Sequence, residues 1–125
     1  MTAVVDTSVL VDHLRGLTAA TELLIGHRSS GPLHASEITR LELLSGMRPS
    51  EQHATEQLLV VLTWRPVDAE VAELAGSLGR RWLPSHSGID AADLAVAATA
   101  QLVDASLLTL NVRHFPMFAD LTRPY

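Results

Sequence analysis

The chain has 125 residues, enough for one domain spanning 1–125, and its 47% hydrophobic and 18% charged residues are typical of a globular protein rather than a disordered one. The formal charge of −5 argues against a generic nucleic-acid binder, and the lack of cysteine excludes disulfides and thiolate metal sites. No apolar run reaches the ~20 residues of a membrane span and no signal-peptide pattern opens the chain, so we expect a cytoplasmic protein with no membrane contact.

The first predicted element is a short apolar strand over residues 3–5 that ends at a carboxylate, Asp6. Thr7 or Ser8 then caps a helix that runs to about Arg15. Ligands of open α/β sheets bind outside the carboxyl ends of the strands, so Asp6 lies where such folds place their chemistry. The alternative is that Asp6 only helps to cap the helix.

A second helix over 18–27, a brief strand over 32–35 and a third helix over 37–45 follow. Ser36 is the expected cap of the third helix, and Gly46 is its stop signal. The predicted inward stripe of this helix consists of Ile38, Leu41 and Leu44.

Glu42 lies at the edge of that stripe, where a carboxylate is costly unless something neutralises its charge. A salt bridge to Arg40 or Arg48, or simple exposure, would explain it. The functional explanation is a metal ion near Asp6.

The middle of the chain predicts a helix over 50–62, a short strand over 63–66 and a helix capped by Asp68. This helix ends in a local basic patch, because Arg80, Arg81 and His86 flank the loop that follows it. The patch is either a solvated helix end or a contact for a nucleic-acid backbone.

The most legible helix covers 89–103, with Asp90 and Asp93 at the spacing of a capping box. Capping alone would explain both acids, but they also place two carboxylates at one helix start. The predicted inward face of this helix consists of Leu94, Ala97, Ala98 and Leu102.

A further strand over 106–110 ends at Asn111, again a polar group at the carboxyl end of a strand, and 121–122 is a candidate edge strand. Helices between strands at this spacing predict a parallel sheet covered by helices on both faces.

If Asp6, Glu42, Asp93 and Asn111 converge, they form an oxygen-rich pocket. Several carboxylates held together repel one another unless a cation is present. Oxygen ligands suit Mg²⁺ or Mn²⁺, which can activate water and neutralise charge at a phosphodiester. Spacing along the sequence alone does not bring these residues together.

The chain resembles the PIN-domain ribonucleases of the VapC toxin family in four segments, in the family's order and at its spacing. These segments cover nearly the whole chain and lie at 4–11, 39–46, 93–100 and 108–115. The resemblance implies a three-layer α/β/α PIN-like domain with a central parallel sheet of four to five strands. It also implies a Mg²⁺- or Mn²⁺-dependent endoribonuclease that cuts structured RNA, forms homodimers and is inhibited by a VapB-type antitoxin.

Carried over by position, the resemblance implies that Asp6, Asp93 and Glu42 are the catalytic acids and bind the metal, Glu42 directly or through water. Asn111 stands where many relatives have a fourth acid, which puts a second metal in doubt. The residues with supporting roles or candidate RNA contacts are Thr7, Ser8, Asp90, Arg80, Arg81 and Arg113.

Three other classes of protein share features with this sequence. A receiver-like phosphoacceptor domain needs a lysine, and the chain has none. A catalytically inactive PIN-like module that binds RNA or protein would keep the acids only for stability. A DNA nuclease would share the same acids and is separated from a ribonuclease by offering single-stranded DNA.

Overall fold

The computed structural model describes residues 2–125, in which four short strands form one sheet with all strands parallel. The strand order is β3-β2-β1-β4, so the two strands at the edges are the third and fourth along the chain. The strands are β1 (Ala3–Val5), β2 (Leu33–Ser36), β3 (Thr63–Arg65) and β4 (Ser106–Leu108).

Six α-helices connect the strands, and two single turns of 3₁₀-helix lie at Pro49–Glu51 and Val112–His114. The helices are α1 (Thr7–Leu14), α2 (Thr18–Ser30), α3 (Glu37–Ser45), α4 (Gln52–Val61), α5 (Ala69–Trp82) and α6 (Ala91–Leu102). None of the helices within residues 2–125 combines the length and the hydropathy needed to cross a membrane.

The alternation of side chains along the strands divides the core into two layers. Ala3 and Val5 of β1 pack with residues of α1 to α4 on one face of the sheet. Val4, between them, packs with residues of α5 and α6 on the other face. This arrangement confirms the predicted three-layer α/β/α architecture with a parallel sheet.

Several predictions about individual elements are wrong, among them the N-cap residue of α1, which is Asp6 and not Thr7 or Ser8. No strand forms at 121–122 within the described residues, so the sheet has four strands, and β4 already ends at Leu108. On α3, Leu41 is 62% exposed and Leu44 45% exposed. Leu102, predicted to face inward, is 40% exposed and is the last residue of α6, whose buried run ends at Ala100.

Candidate active site

Asp6 follows the last residue of β1 and is the N-cap residue of α1, but its side chain does not cap the helix. Its Oδ2 instead accepts hydrogen bonds from the hydroxyls of Ser8, at 3.1 Å, and Thr109, at 2.7 Å. The residue is 5% exposed, and its Oδ1 accepts no hydrogen bond from residues 2–125. The capping interpretation of Asp6 is therefore wrong, and the carboxylate is held with one oxygen free for a ligand.

Glu42 lies in α3, which begins directly after the carboxyl end of β2, and it is half-buried. Its Oε1 accepts a hydrogen bond of 2.7 Å from the hydroxyl of Thr7, the residue next to Asp6. The salt bridge to Arg40 considered above is absent, because Arg40 pairs with Glu37 one turn earlier. The hydrogen bond from Thr7 thus connects Glu42 of α3 to the start of α1.

Asp93 lies in the first turn of α6, and the predicted capping box is present. Asp90 Oδ1 accepts the Asp93 N–H at 2.8 Å, while Asp93 Oδ2 accepts the Asp90 N–H at 3.1 Å. Asp93 Oδ2 also lies 3.1 Å from Nδ1 of His114. Burial is the largest effect on this carboxyl, and it raises the pKa of Asp93 to about 6.

The three acids lie at the same edge of the sheet. Asp6 ends β1, and α3 starts where β2 ends. Since α6 leads back to the start of β4, the first turn of α6 lies at the carboxyl edge as well. Among residues 2–125, however, no three histidine or acidic side chains lie close enough together to hold one metal ion. The structure therefore brings the predicted acids to one edge but not into one three-ligand group.

The donor chemistry at this edge still fits a hard divalent cation. Asp6 and Asp93 are both buried carboxylates, and neither Oδ1 accepts a hydrogen bond from residues 2–125. Mg²⁺ usually keeps several waters and is bound by one or two carboxylates, so a three-residue cage is not required. A cation would also offset the cost of burial that raises the pKa of Asp93.

The other predicted site residues occupy varied positions. Asn111 is exposed, and its backbone N–H, not its side chain, donates to Thr109 at 3.0 Å. Arg80 and Arg81 are exposed at the end of α5, where the guanidinium of Arg81 lies 4.7 Å from the centre of the Trp82 ring. Arg113 is exposed in the 3₁₀ turn after β4.

Two contacts made by residues near the end of β4 are not predicted from the sequence. Thr109 is fully buried and donates its hydroxyl to Asp6, from which it is separated by 103 positions in the chain. His114 contacts Asp93. The position of Thr109, next to the polar Asn111 region at the end of a strand, could have indicated its contact with Asp6. No local pattern indicates the contact of His114 with Asp93.

Comparison with known proteins agrees with this geometry. The sequence profile of the family described as PIN domain matches residues 3–121. Ribonuclease VapC19 of Mycobacterium tuberculosis is 50% identical over 122 residues, which cover 97% of this chain and 98% of that protein. Ribonuclease VapC10 of the same organism is 42% identical over 121 residues, which cover 97% of this chain and 91% of the relative.

Similarity extends to solved structures. A chain in a toxin–antitoxin complex from Klebsiella pneumoniae matches this structure with a TM-score of 0.76 and 25% identity, over 98% of each chain.

Proposed function

The chain belongs to the PIN-domain family and, within it, to the VapC ribonucleases, and from this premise we propose that it is the toxin of a type II toxin–antitoxin system. Its proposed activity is Mg²⁺- or Mn²⁺-dependent endoribonuclease cleavage of structured cellular RNA, with tRNA or rRNA as the substrate. The observation that carries the proposal is the pair of buried carboxylates at the carboxyl edge of the sheet, each with one free oxygen.

In this proposal Asp6 and Asp93 bind the metal directly, and Glu42 acts through a water molecule. The metal, when bound, supplies Lewis acidity and offsets the negative charge of the phosphodiester. Thr7 holds Glu42 at 2.7 Å, and Ser8 and Thr109 fix the orientation of Asp6.

The proposed reaction is an in-line displacement at phosphorus. The oxygen of a water molecule forms a bond to phosphorus as the bond to O3′ breaks, which leaves a 3′-hydroxyl and a 5′-phosphate. The backbone of the RNA strand is negative and the chain carries a formal charge of −5. Positively charged side chains near the site must therefore bind the RNA backbone. The proposed contacts are Arg80, Arg81 and Arg113.

We further propose that a VapB-type antitoxin inhibits the toxin and that the toxin forms a homodimer. The toxin–antitoxin complex from Klebsiella pneumoniae supports the first part. Exposed apolar side chains offer surface for both kinds of association. These side chains include Ile25, Leu41, Leu44, Val60 and Val61.

The test is incubation of the purified protein with total RNA, with and without Mn²⁺ or Mg²⁺, beside Asp6→Asn. We expect metal-dependent cleavage by the wild type, loss of at least a hundredfold in Asp6→Asn, and no change in Asp120→Asn, which alters an exposed aspartate. Equal cleavage by wild type and Asp6→Asn would reveal a contaminating nuclease. RNA binding without cleavage would favour the inactive module, and preferential cleavage of single-stranded DNA would favour a DNA nuclease.

A further inference from the structure

A surface pocket of about 420 Å³ lies beyond the end of β4 and adjoins the candidate active site. Two arginines contribute to its wall, one from the 3₁₀ turn and one from the C-terminal tail. The lining residues are Leu110, Asn111, Val112, Arg113, His114 and Arg123.

The charges of the two arginines are uncompensated within the described part of the chain. Arg113 and Arg123 are both exposed, and neither donates a hydrogen bond or forms an ion pair there. In a chain with a formal charge of −5, two free guanidinium groups on one concave surface form a local site for an anion. Guanidinium groups bind phosphate oxygens in a two-pronged geometry.

The wall of the pocket contacts Asp93 directly and is connected to Asp6 through Thr109. His114 in the wall lies 3.1 Å from Asp93. Asn111 donates its backbone N–H to Thr109, whose hydroxyl in turn donates to Asp6. The pocket is therefore next to the acids at which the reacting phosphate is proposed to lie.

The C-terminal residue ties the tail that carries Arg123 to the body of the domain. The Tyr125 hydroxyl donates a hydrogen bond of 2.8 Å to Oδ2 of Asp12 in α1, and its ring packs against the core layer of α1 to α4. Burial and this hydrogen bond raise the pKa of Tyr125 to about 12, so the hydroxyl stays protonated as the donor. Arg123, which lines the pocket, lies only two residues before this anchored tyrosine.

We propose that this pocket is a phosphate-binding subsite for the RNA strand, that Arg113 and Arg123 bind a phosphate next to the one that reacts, and that Tyr125 is the positioning residue for Arg123. The subsite rests on the proposed ribonuclease function, because it is meant for the phosphate next to the one that is cleaved at the acids. Since the contacts are to the backbone, they contribute affinity without sequence preference.

The test measures binding of a fluorescent single-stranded RNA to the full-length protein in EDTA, where metal-dependent cleavage cannot occur, across a series of salt concentrations. Each lost phosphate contact lowers the slope of log K against log salt concentration by about 0.7, which is about a fivefold loss of affinity near 0.1 M salt. We expect this for Arg123→Gln and Arg113→Gln. Arg123→Lys retains the charge and most of the slope, and Arg28→Gln, which alters an exposed arginine of α2 outside the pocket, changes nothing.

Tyr125→Phe distinguishes positioning from a structural role. We expect it to lower the salt slope partly, and we expect Tyr125→Phe with Arg123→Gln to bind no worse than Arg123→Gln alone. An unchanged slope in Tyr125→Phe would overturn the positioning role.

Wild-type slopes in both arginine variants would overturn the subsite. Binding of a polyglutamate peptide is measured for the same variants. If the arginine variants lose affinity for the peptide but bind RNA as the wild type does, the pocket is a site for an acidic peptide and the subsite is overturned. Failure of the ribonuclease proposal is recognised separately. In that case the wild type binds RNA with the expected slope but does not cleave it when Mn²⁺ is supplied.

Discussion

At the scale of single residues, hydroxyl groups hold Asp6 and Glu42 in place, whereas Oδ2 of Asp93 contacts a backbone N–H and His114. Asp6 accepts hydrogen bonds from Ser8 and Thr109, and Glu42 accepts one from Thr7. A hydroxyl orients a carboxylate without neutralising its charge, whereas a paired arginine would compete with a bound cation. The free oxygens of Asp6 and Asp93 therefore stay available for a metal.

Thr109 and Thr55 form a matched pair for measuring how much a hydrogen-bonded hydroxyl contributes to the free energy of unfolding, because both residues are almost completely buried. Thr109 donates to Asp6 and accepts from the Asn111 N–H, whereas the Thr55 hydroxyl has no partner within the described residues. We expect Thr109→Val to lower the free energy of unfolding by about 1–3 kcal/mol and Thr55→Val to leave it unchanged or raise it by about 1 kcal/mol. Urea denaturation measures both, and equal effects of the two substitutions would contradict the account.

The pKa of Asp93 predicts a pH-dependent cost of folding. It is about 6 in the folded protein against an ordinary value of 3.8, so between these pH values the folded state holds the proton more tightly than the unfolded chain. Ionisation of Asp93 therefore lowers the free energy of unfolding as the pH rises from about 4 to about 6. Above that range this loss of stability is complete and no longer changes with pH.

In EDTA we expect Asp93→Asn to be more stable than the wild type, with a margin that grows by about 1–2 kcal/mol between about pH 4.5 and pH 7.5. Urea denaturation at the two pH values measures this margin, with Asp120→Asn as the exposed control. A margin that is the same at both pH values would show that burial does not shift the ionisation of Asp93.

At the scale of elements, α3 shows where sequence periodicity fails. Of the predicted inward stripe, Ile38 packs against the core layer of α5 and α6, but Leu41 and Leu44 are exposed. The buried residues of this helix are Thr39 and Leu43. The helix is rotated so that Glu42 and Thr39 face α1, where Thr7 donates to Glu42 and contacts the Thr39 hydroxyl at 3.3 Å. A hydrophobicity pattern counts polar residues as outward, so it cannot predict a helix whose inward face carries the site. The capping box of α6 is local chemistry, and it was predicted correctly.

The packing of α5 against α6 makes a separate prediction about two glycines of α5. A Cβ at Gly79 would lie 3.2 Å from Cδ1 of Leu94, whereas a Cβ at Gly76 would have only ordinary contact, at 3.8 Å from Nη1 of Arg80. We expect Gly76→Ala to raise the free energy of unfolding by about 0.5–1 kcal/mol through helix propensity. Gly79→Ala should gain less or lose stability, because Leu94 must move. Equal gains in thermal denaturation would show that the helices are not in close contact there.

At the scale of the whole molecule, the order of strands and helices was predictable because each element carries its own apolar period and its own caps. The parallel sheet covered on both faces followed from that order. The meeting of β1, α3, α6 and the end of β4 was not predictable from local pattern, since the contact of Thr109 with Asp6 joins residues 103 positions apart. Family resemblance supplied this information for the acids, but not for Thr109, His114 or Arg123.

The central claim is that acids from separate parts of the chain hold one divalent ion, and calorimetric titration with Mn²⁺ tests it most directly. We expect the wild type to bind Mn²⁺, Asp6→Asn and Asp93→Asn each to weaken binding by at least about tenfold, and Glu42→Gln to weaken it less because its proposed contact with the metal is through water. Asp120→Asn should bind like the wild type. Unchanged Mn²⁺ affinity in both Asp6→Asn and Asp93→Asn would contradict the claim.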